Sequence, residues 1–307
     1  MTNQIKIFAP ATVANVSCGF DALGFALDTL GDEMVFKKTT SKDIKICKIE
    51  GANLPFDPKK NVVGVVAQLM LEDAQADFGL DIEIYKNFKP GSGLGSSAAS
   101  GAGTAYAVNQ LLGSRYSNLE LTKFAMQGEV VACGSAIADN VAAAIYGGFV
   151  LVQNYQPLHI ISLPTPSELF ATIIHPQIEI RTEDARKVLP EHIPLKTAIS
   201  QWANLGGLVS GLYESNYQTI SRALVDFIAE PARKHLIPHF DTLKTACLNT
   251  GALGFGISGS GPSMFTLCQG KETAQKVAEA METIYKVTDI DFNVCVSPIS
   301  KKGVLTL

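Results

Sequence analysis

Apolar and polar residues alternate at two different periods along this chain, and the changes of period mark its elements. Near the amino terminus QIKIFAPATV reads as a strand broken by Pro10, and EMVFKKT and DIKICKIEG alternate as further strands. In NVVGVVAQLMLEDAQADFG the period lengthens: Val62, Val65, Val66, Leu69 and Met70 share one helical face, with Gly79 as the expected stop. DIEIYKNF returns to strict alternation, with Ile82 and Ile84 on one face. The alanine-rich segment Ser96 to Leu112 then predicts a helix despite its internal glycines.

NLELTKFAMQGEVVACG predicts a second helix capped by Ser117 or Asn118, and DNVAAAIYGG a shorter one ending at Gly147 and Gly148. FVLVQN, HIISLP and LFATIIHP read as strands, so the character changes from helix to sheet near residue 150, where a domain boundary is expected. Beyond it come a long helix in PLKTAISQWANLGGLVSGLY and two helical pieces parted at Pro238. A glycine turn in FGISGSGPSMFTLC, a helix from Lys271 to about Val287 and the strand DFNVCVSPI complete the chain. No repeat of fixed period appears.

Composition narrows the function. With 307 residues and 47% hydrophobic positions the chain can bury two cores, and a formal charge of -4 gives none of the electropositive footprint that a nucleic-acid partner requires. Cys18, Cys47, Cys133, Cys247, Cys268 and Cys295 are scattered without zinc-type spacing, which fits a reduced cytoplasmic protein. Pro90 to Ser114 carries no charge and is long enough to span a bilayer, but about half of it is glycine, serine, threonine, asparagine and glutamine. No membrane partner is expected.

The chemistry concentrates in PGSGLGSSAAS, between a strand and a helix. Glycine lets the backbone close on an anion, and a helix start offers free N–H groups and the positive end of a dipole. Gly93, Gly95 and Ala98 fit the spacing of a dinucleotide loop, as do Gly254, Gly256 and Gly259, but the acidic residue such a loop wants would fall inside a helix. No lysine follows either cluster, so a Walker loop is excluded. Taken alone, the segment is equally a phosphate cradle or a structural tight turn, and Ser96 and Ser97 could cap the helix or reach a phosphate.

Three segments together decide between these. APATVANVSCGFDALGFAL, PGSGLGSSAAS and GFGISGSGPSMFTL resemble, in order, the three motifs of the GHMP kinases, and they span nearly the whole chain. The first is most similar to the homoserine kinase branch; Asn15, Gly19, Phe20 and Asp21 match, while Ser17 and Cys18 stand where glycine and proline are common. GEVVACGSAIADNVAAAIYGG continues the likeness, with Ile137 in place of a frequent histidine and Ala143 in place of proline.

The resemblance implies an α+β, two-domain GHMP kinase fold, with a ribosomal-protein-like βαβ domain over residues 1–155 and a ferredoxin-like α/β sandwich over 156–307. It implies transfer of a phosphoryl group from ATP to the hydroxyl of L-homoserine, a step of threonine biosynthesis, with Mg²⁺, and a homodimer by analogy. The alternatives are a mevalonate-type kinase or a non-catalytic ligand sensor on the same fold.

Residue by residue, Pro90, Gly91, Ser92, Gly93, Leu94, Gly95, Ser96, Ser97, Ala98, Ala99 and Ser100 would hold the nucleotide, with Asn61 and Lys86 or Lys89 as further contacts. Ser97 and Glu129 would hold the metal. RTEDARKVLP and EPARKHLIPHF resemble substrate segments of the same branch. They place Arg186 and Arg233 on the α-carboxylate, beside Thr182, Gly259 and Ser260, with Asp21 for the ammonium. Asp139, Asn140 and Asn15 would flank the reacting hydroxyl, with Asp139 expected chiefly to fix the geometry of both asparagines and the substrate.

Overall fold

The computed structural model describes residues 3–307. The chain runs through β1 (Gln4–Ala14), β2 (Leu23–Thr39), β3 (Ile44–Glu50), α1 (Val62–Asp73), β4 (Gly79–Tyr85), α2 (Ser96–Leu111), α3 (Asn118–Cys133), α4 (Asp139–Tyr146), β5 (Phe149–Tyr155) and β6 (Leu158–Leu163). It continues as β7 (Leu169–Pro176), α5 (Thr182–Lys187), α6 (Leu195–Glu214), α7 (Tyr217–Ala223), α8 (Ala229–Arg233), α9 (Phe240–Asn249), β8 (Gly254–Ile257), β9 (Met264–Gln269), α10 (Lys271–Tyr285), β10 (Phe292–Pro298) and β11 (Leu305–Thr306).

A seven-stranded sheet runs β11-β1-β2-β4-β3, with β5 pairing β2 and β6 beyond it; a four-stranded sheet runs β10-β7-β9-β8. The first sheet carries α1 to α4, and β3 and β4 in it are parallel. The second is antiparallel, with α9 and α10 packed on it in the βαββαβ order of a ferredoxin-like layer. The expected boundary at 155 falls inside the β5–β6 hairpin. Because β6 pairs with β5 and β11 with β1, the first sheet reaches Leu163 and takes in the carboxyl terminus.

Two local expectations also change. Pro10 does not break β1; it sits where the register to β2 shifts, so its missing N–H leaves no gap in the ladder. The helix α1 stops at Asp73, with Gln75 in the left-handed region, and Gly79 instead opens β4, where a β-carbon would lie 2.1 Å from the Asp43 carbonyl oxygen. Ser117 caps α3 through a reciprocal capping box with Glu120, as the sequence implies.

The uncharged segment after β4 is packed inside the protein. In α2, residues Ala98, Ala99, Ala102, Ala105 and Ala107 are fully buried. A β-carbon on Gly103 would come within 2.2 Å of Met34 on the sheet, and one on Gly101 within 3.1 Å of the Ala125 carbonyl on α3. These two glycines set how closely α2 approaches its neighbours. No helix among the described residues is long and apolar enough to cross a membrane.

Candidate active site

The three glycine-bearing segments converge on one cleft of about 530 Å³ at the junction of the two sheets. The loop after β4 is clamped from the far end of the chain: Ser258 Oγ donates to the Gly93 carbonyl at 2.7 Å, and the Ser263 amide donates to the Ser92 carbonyl at 3.2 Å. From the other side the Thr12 amide donates to the Leu94 carbonyl at 3.0 Å. Gly93 has φ +80, and a β-carbon on it would lie 2.5 Å from the Ser258 carbonyl oxygen, so both its backbone and its surroundings demand glycine.

This geometry divides the loop residues. Pro90, Gly91, Gly93, Gly95, Ser96 and Ser97 line the cleft. Ser92, Leu94, Ala98, Ala99 and Ser100 are buried behind it and support the loop. The N-cap of α2 is Gly95, and no side chain caps the helix; Ser96 and Ser97 therefore leave the first N–H groups facing the cleft, where an anion would be stabilised.

Three nucleotide candidates lie elsewhere. Lys86 is buried and ion-paired with Asp32, its ammonium also donating to the Ser96 carbonyl at 3.0 Å and Ser100 Oγ at 3.2 Å. Burial disfavours both charges, lowering the Lys86 ammonium and raising the Asp32 carboxyl, and their pairing opposes this. Lys86 thus braces the loop from beneath. Asn61 caps α1 through Val63 N and donates to the Pro55 carbonyl, so its amide is occupied, and Lys89 opens onto a different cavity.

At the other end of the cleft stand Asp21, Thr182, Arg186, Arg233, Gly259 and Ser260. Asp21 and Arg186 form a two-point ion pair, Nη1 to Oδ2 and Nη2 to Oδ1 at 3.1 Å each, with both side chains partly exposed. The two groups assigned to opposite ends of an amino acid therefore satisfy each other without ligand. Arg233 is 3% exposed; Nε donates to the Ala185 carbonyl at 2.8 Å and Nη1 to the Gly259 carbonyl at 3.1 Å, and the guanidinium lies over the Phe20 ring. Thr182 and Ser260 hydroxyls approach to 3.4 Å across the cleft.

Between the ends lie the carboxylates. Asp139 is 2% exposed and its carboxyl is pushed up to about 7, first by burial and further by the charges of Asp21 and Glu129, against a hydrogen bond from the Asn140 amide. Glu129 is likewise pushed up to about 7 by burial, with a hydrogen bond from Ser97 opposing the rise. Asn140 is oriented by Thr12, whose hydroxyl donates to Oδ1 at 2.7 Å.

Asn15 lines the cleft and is tied down within it. Its Nδ2 donates to the Gly259 carbonyl at 2.7 Å and its Oδ1 accepts the Asp21 amide at 3.0 Å, which ties the first motif to the third. No hydrogen bond joins it to Asp139, whose organising contact is with Asn140 alone. Asn15, Val16 and Ser17 all have positive φ, a costly run for a β-branched residue. Ser17 keeps the left-handed backbone that the glycine usual at that position adopts without strain.

Sequence reading missed Glu179, Ile180, Arg181 and Glu183, which join the cleft from the turn into α5. Their only signal was adjacency to Thr182 and Arg186. Ile137, in place of the frequent histidine, contributes an apolar wall.

Residues 61–148 match the GHMP kinases N terminal domain and 208–287 the GHMP kinases C terminal domain. The fold and cleft are those of a GHMP kinase. The homoserine kinase of Chlorobium phaeobacteroides is 47% identical, covering 99% of each chain, and that of Methanococcus vannielii is 36% identical over 92% of this chain and 93% of the relative. The crystal structure of homoserine kinase from Cytophaga hutchinsonii superposes with a TM-score of 0.96 at 49% identity, covering 100% of this chain and 98% of the other. This chain belongs to the homoserine kinase family. Mevalonate kinase of L. major, solved with R-mevalonate, shares the fold at a TM-score of 0.71 and 13% identity, covering 97% of each chain.

Proposed function

We propose that the cleft transfers the γ-phosphoryl group of ATP to the side-chain hydroxyl of L-homoserine, releasing O-phospho-L-homoserine and ADP. The observation that carries this is the charge layout: Asp21 with Arg186 and Arg233 at one end, joined by Glu179, Arg181 and Glu183 from the turn into α5, and an uncapped helix start at the other. Arg233 and Arg186 receive the α-carboxylate and Asp21 the ammonium, so the substrate inserts its two charges into an ion pair already in place. A mevalonate-type alcohol has no ammonium and would offer Asp21 no cation beyond Arg186. A ligand sensor would have no use for Asp139 and Glu129 held near neutrality.

Phosphoryl transfer asks for positioning and charge neutralisation. The Gly91–Gly95 backbone and the first N–H groups of α2 hold the phosphates. Ser97 and Glu129 fit Mg²⁺, a hard cation that takes oxygen ligands, keeps several waters and is usually held by one or two carboxylates plus phosphates. No cluster of three or more His, Cys, Asp or Glu side chains occurs among the described residues, and one hydroxyl with one buried carboxylate is the matching donor set. When bound, the ion would offset charge on the phosphate oxygens.

Asp139 accepts the hydroxyl proton as the oxygen bonds to the γ-phosphorus and ADP departs; Thr12 and Asn140 hold the reacting end in place. A carboxyl at about 7 is half ionised at neutrality, which suits proton transfer. Release of ADP with L-homoserine, compared with mevalonate and sugar alcohols, tests the substrate. The Asp139→Asn enzyme tests the base: kcat should fall by about 10²–10⁴-fold, and the rise of rate with pH through about 7 should vanish. An unchanged pH profile would assign Asp139 to geometry alone. The working setting is the cytoplasm. The exposed face of α6 carrying Leu195, Ile199, Trp202 and Tyr213 supports a homodimer as the working form.

A further inference from the structure

A second cavity, of about 400 Å³, lies behind the glycine loop. One wall is the stem of the loop, Lys86 to Lys89 with Leu94; the other is the face of the second sheet that carries Ile173, His175, Asn293 and Cys295. These four stand together because Cys295 pairs with Ile173 and Asn293 with His175 across β10 and β7. Leu30, Phe88, Leu94 and Ile173 supply the apolar side chains of the lining, beside Asn87, Lys89, His175 and Asn293.

The charges in the lining have one sign. Among the described residues no carboxylate lines the cavity; the Lys86 ammonium is neutralised by Asp32 behind it, and Lys89 has no ion-pair partner there. Burial first, and the charge of Lys89 second, lower His175 to about 4, so the imidazole is neutral at pH 7 and Lys89 acts on this space. An apolar chamber of this size with one cation and a few amide and imidazole groups is the usual form of a small-ligand site.

We propose that this cavity is a second ligand site, for a small monocarboxylate with a branched apolar body, its carboxylate on Lys89 and its body against Leu30, Phe88 and Ile173. Residues 86–89 and Leu94 also flank the phosphate loop, so occupancy here and nucleotide binding are linked, each altering the affinity of the other by the same factor.

The test uses 4-methylpentanoate as probe and 4-methylpentan-1-amine, of the same shape without the anion, as control, and needs no turnover. The imidazole resonances of His175, assigned by their loss in His175→Gln, report binding in full-length protein with Mg²⁺ and ATP present. The carboxylate should shift them saturably and the amine should not. Lys89→Met should weaken binding about tenfold or more. Cys295→Phe should fill the chamber and abolish the shift, with retained L-homoserine turnover showing that the variant folds. Absence of any shift at millimolar probe, equal response to the amine, or an undiminished response in Cys295→Phe would each overturn the proposal.

Discussion

Replacing Glu129 by glutamine tests whether burial, outweighing the Ser97 hydrogen bond, is what holds that carboxyl near neutrality. Its value rises from 4.5 to about 7 because burial in the cleft penalises the charged form. A group protonated more readily when folded than when unfolded contributes most at low pH and loses that contribution as pH climbs. The loss begins above the unfolded value of 4.5 and is complete past about 7. Moving a carboxyl over that interval costs about 3 kcal/mol. Glu129→Gln, which keeps the neutral shape, should therefore match the parent near pH 4 and exceed it by about 3 kcal/mol at pH 8.

With an unfolding entropy of about 2.1 cal/mol/K per residue over the whole chain, that gain raises Tm by about 5 °C. The assay is a melting series from pH 4 to pH 8.5 without nucleotide, followed by turnover with Mg²⁺ and ATP. The stabilised variant should have lost at least a hundredfold in kcat, since an amide is a poor partner for the cation. A Tm difference that does not grow with pH, or a glutamine variant less stable than the parent at pH 8, would refute the reasoning.

Arg186→Lys keeps the charge but not the fork that meets Asp21 at two points, so KM for L-homoserine should rise about tenfold or more with a smaller change in kcat, read from initial rates. Gly93→Ala must strain a φ of +80 and push against the Ser258 carbonyl, so it should cost about 3 kcal/mol or more in urea unfolding and raise KM for ATP. Lys86→Met strands the buried Asp32 charge, and a loss of about 3–5 kcal/mol is expected; pairing it with Asp32→Leu should recover much of that.

How much of this was legible beforehand depends on whether the cause is local. The alternation in DIEIYKNF and the alanine content after Ser96 locate β4 to within three residues and α2 to within one, because strand and helix periodicity are properties of neighbouring residues. The missed α5, α7 and β11 span six, seven and two residues, too short for periodicity to register. The same limit explains Gly79: a glycine after an apolar helical run looks like a stop, and only the approach of the Asp43 carbonyl reveals it as the first residue of β4.

The sequence by itself determined that a strand, an uncharged glycine loop and an alanine-rich helix follow one another, and that two arginines and an aspartate accompany them. It did not say which of these side chains remain available. Lys86 resembles a phosphate ligand until β2 brings Asp32 beneath it, and nothing near Asn15 in the chain announces that its amide donates to the distant Gly259 carbonyl. The pairing of Asp21 with Arg186 joins positions 165 residues apart, as does the Ser258 contact that fixes Gly93. The tertiary structure made those choices, because a hydrogen bond or ion pair is decided by which groups meet and no local pattern encodes a meeting at that distance.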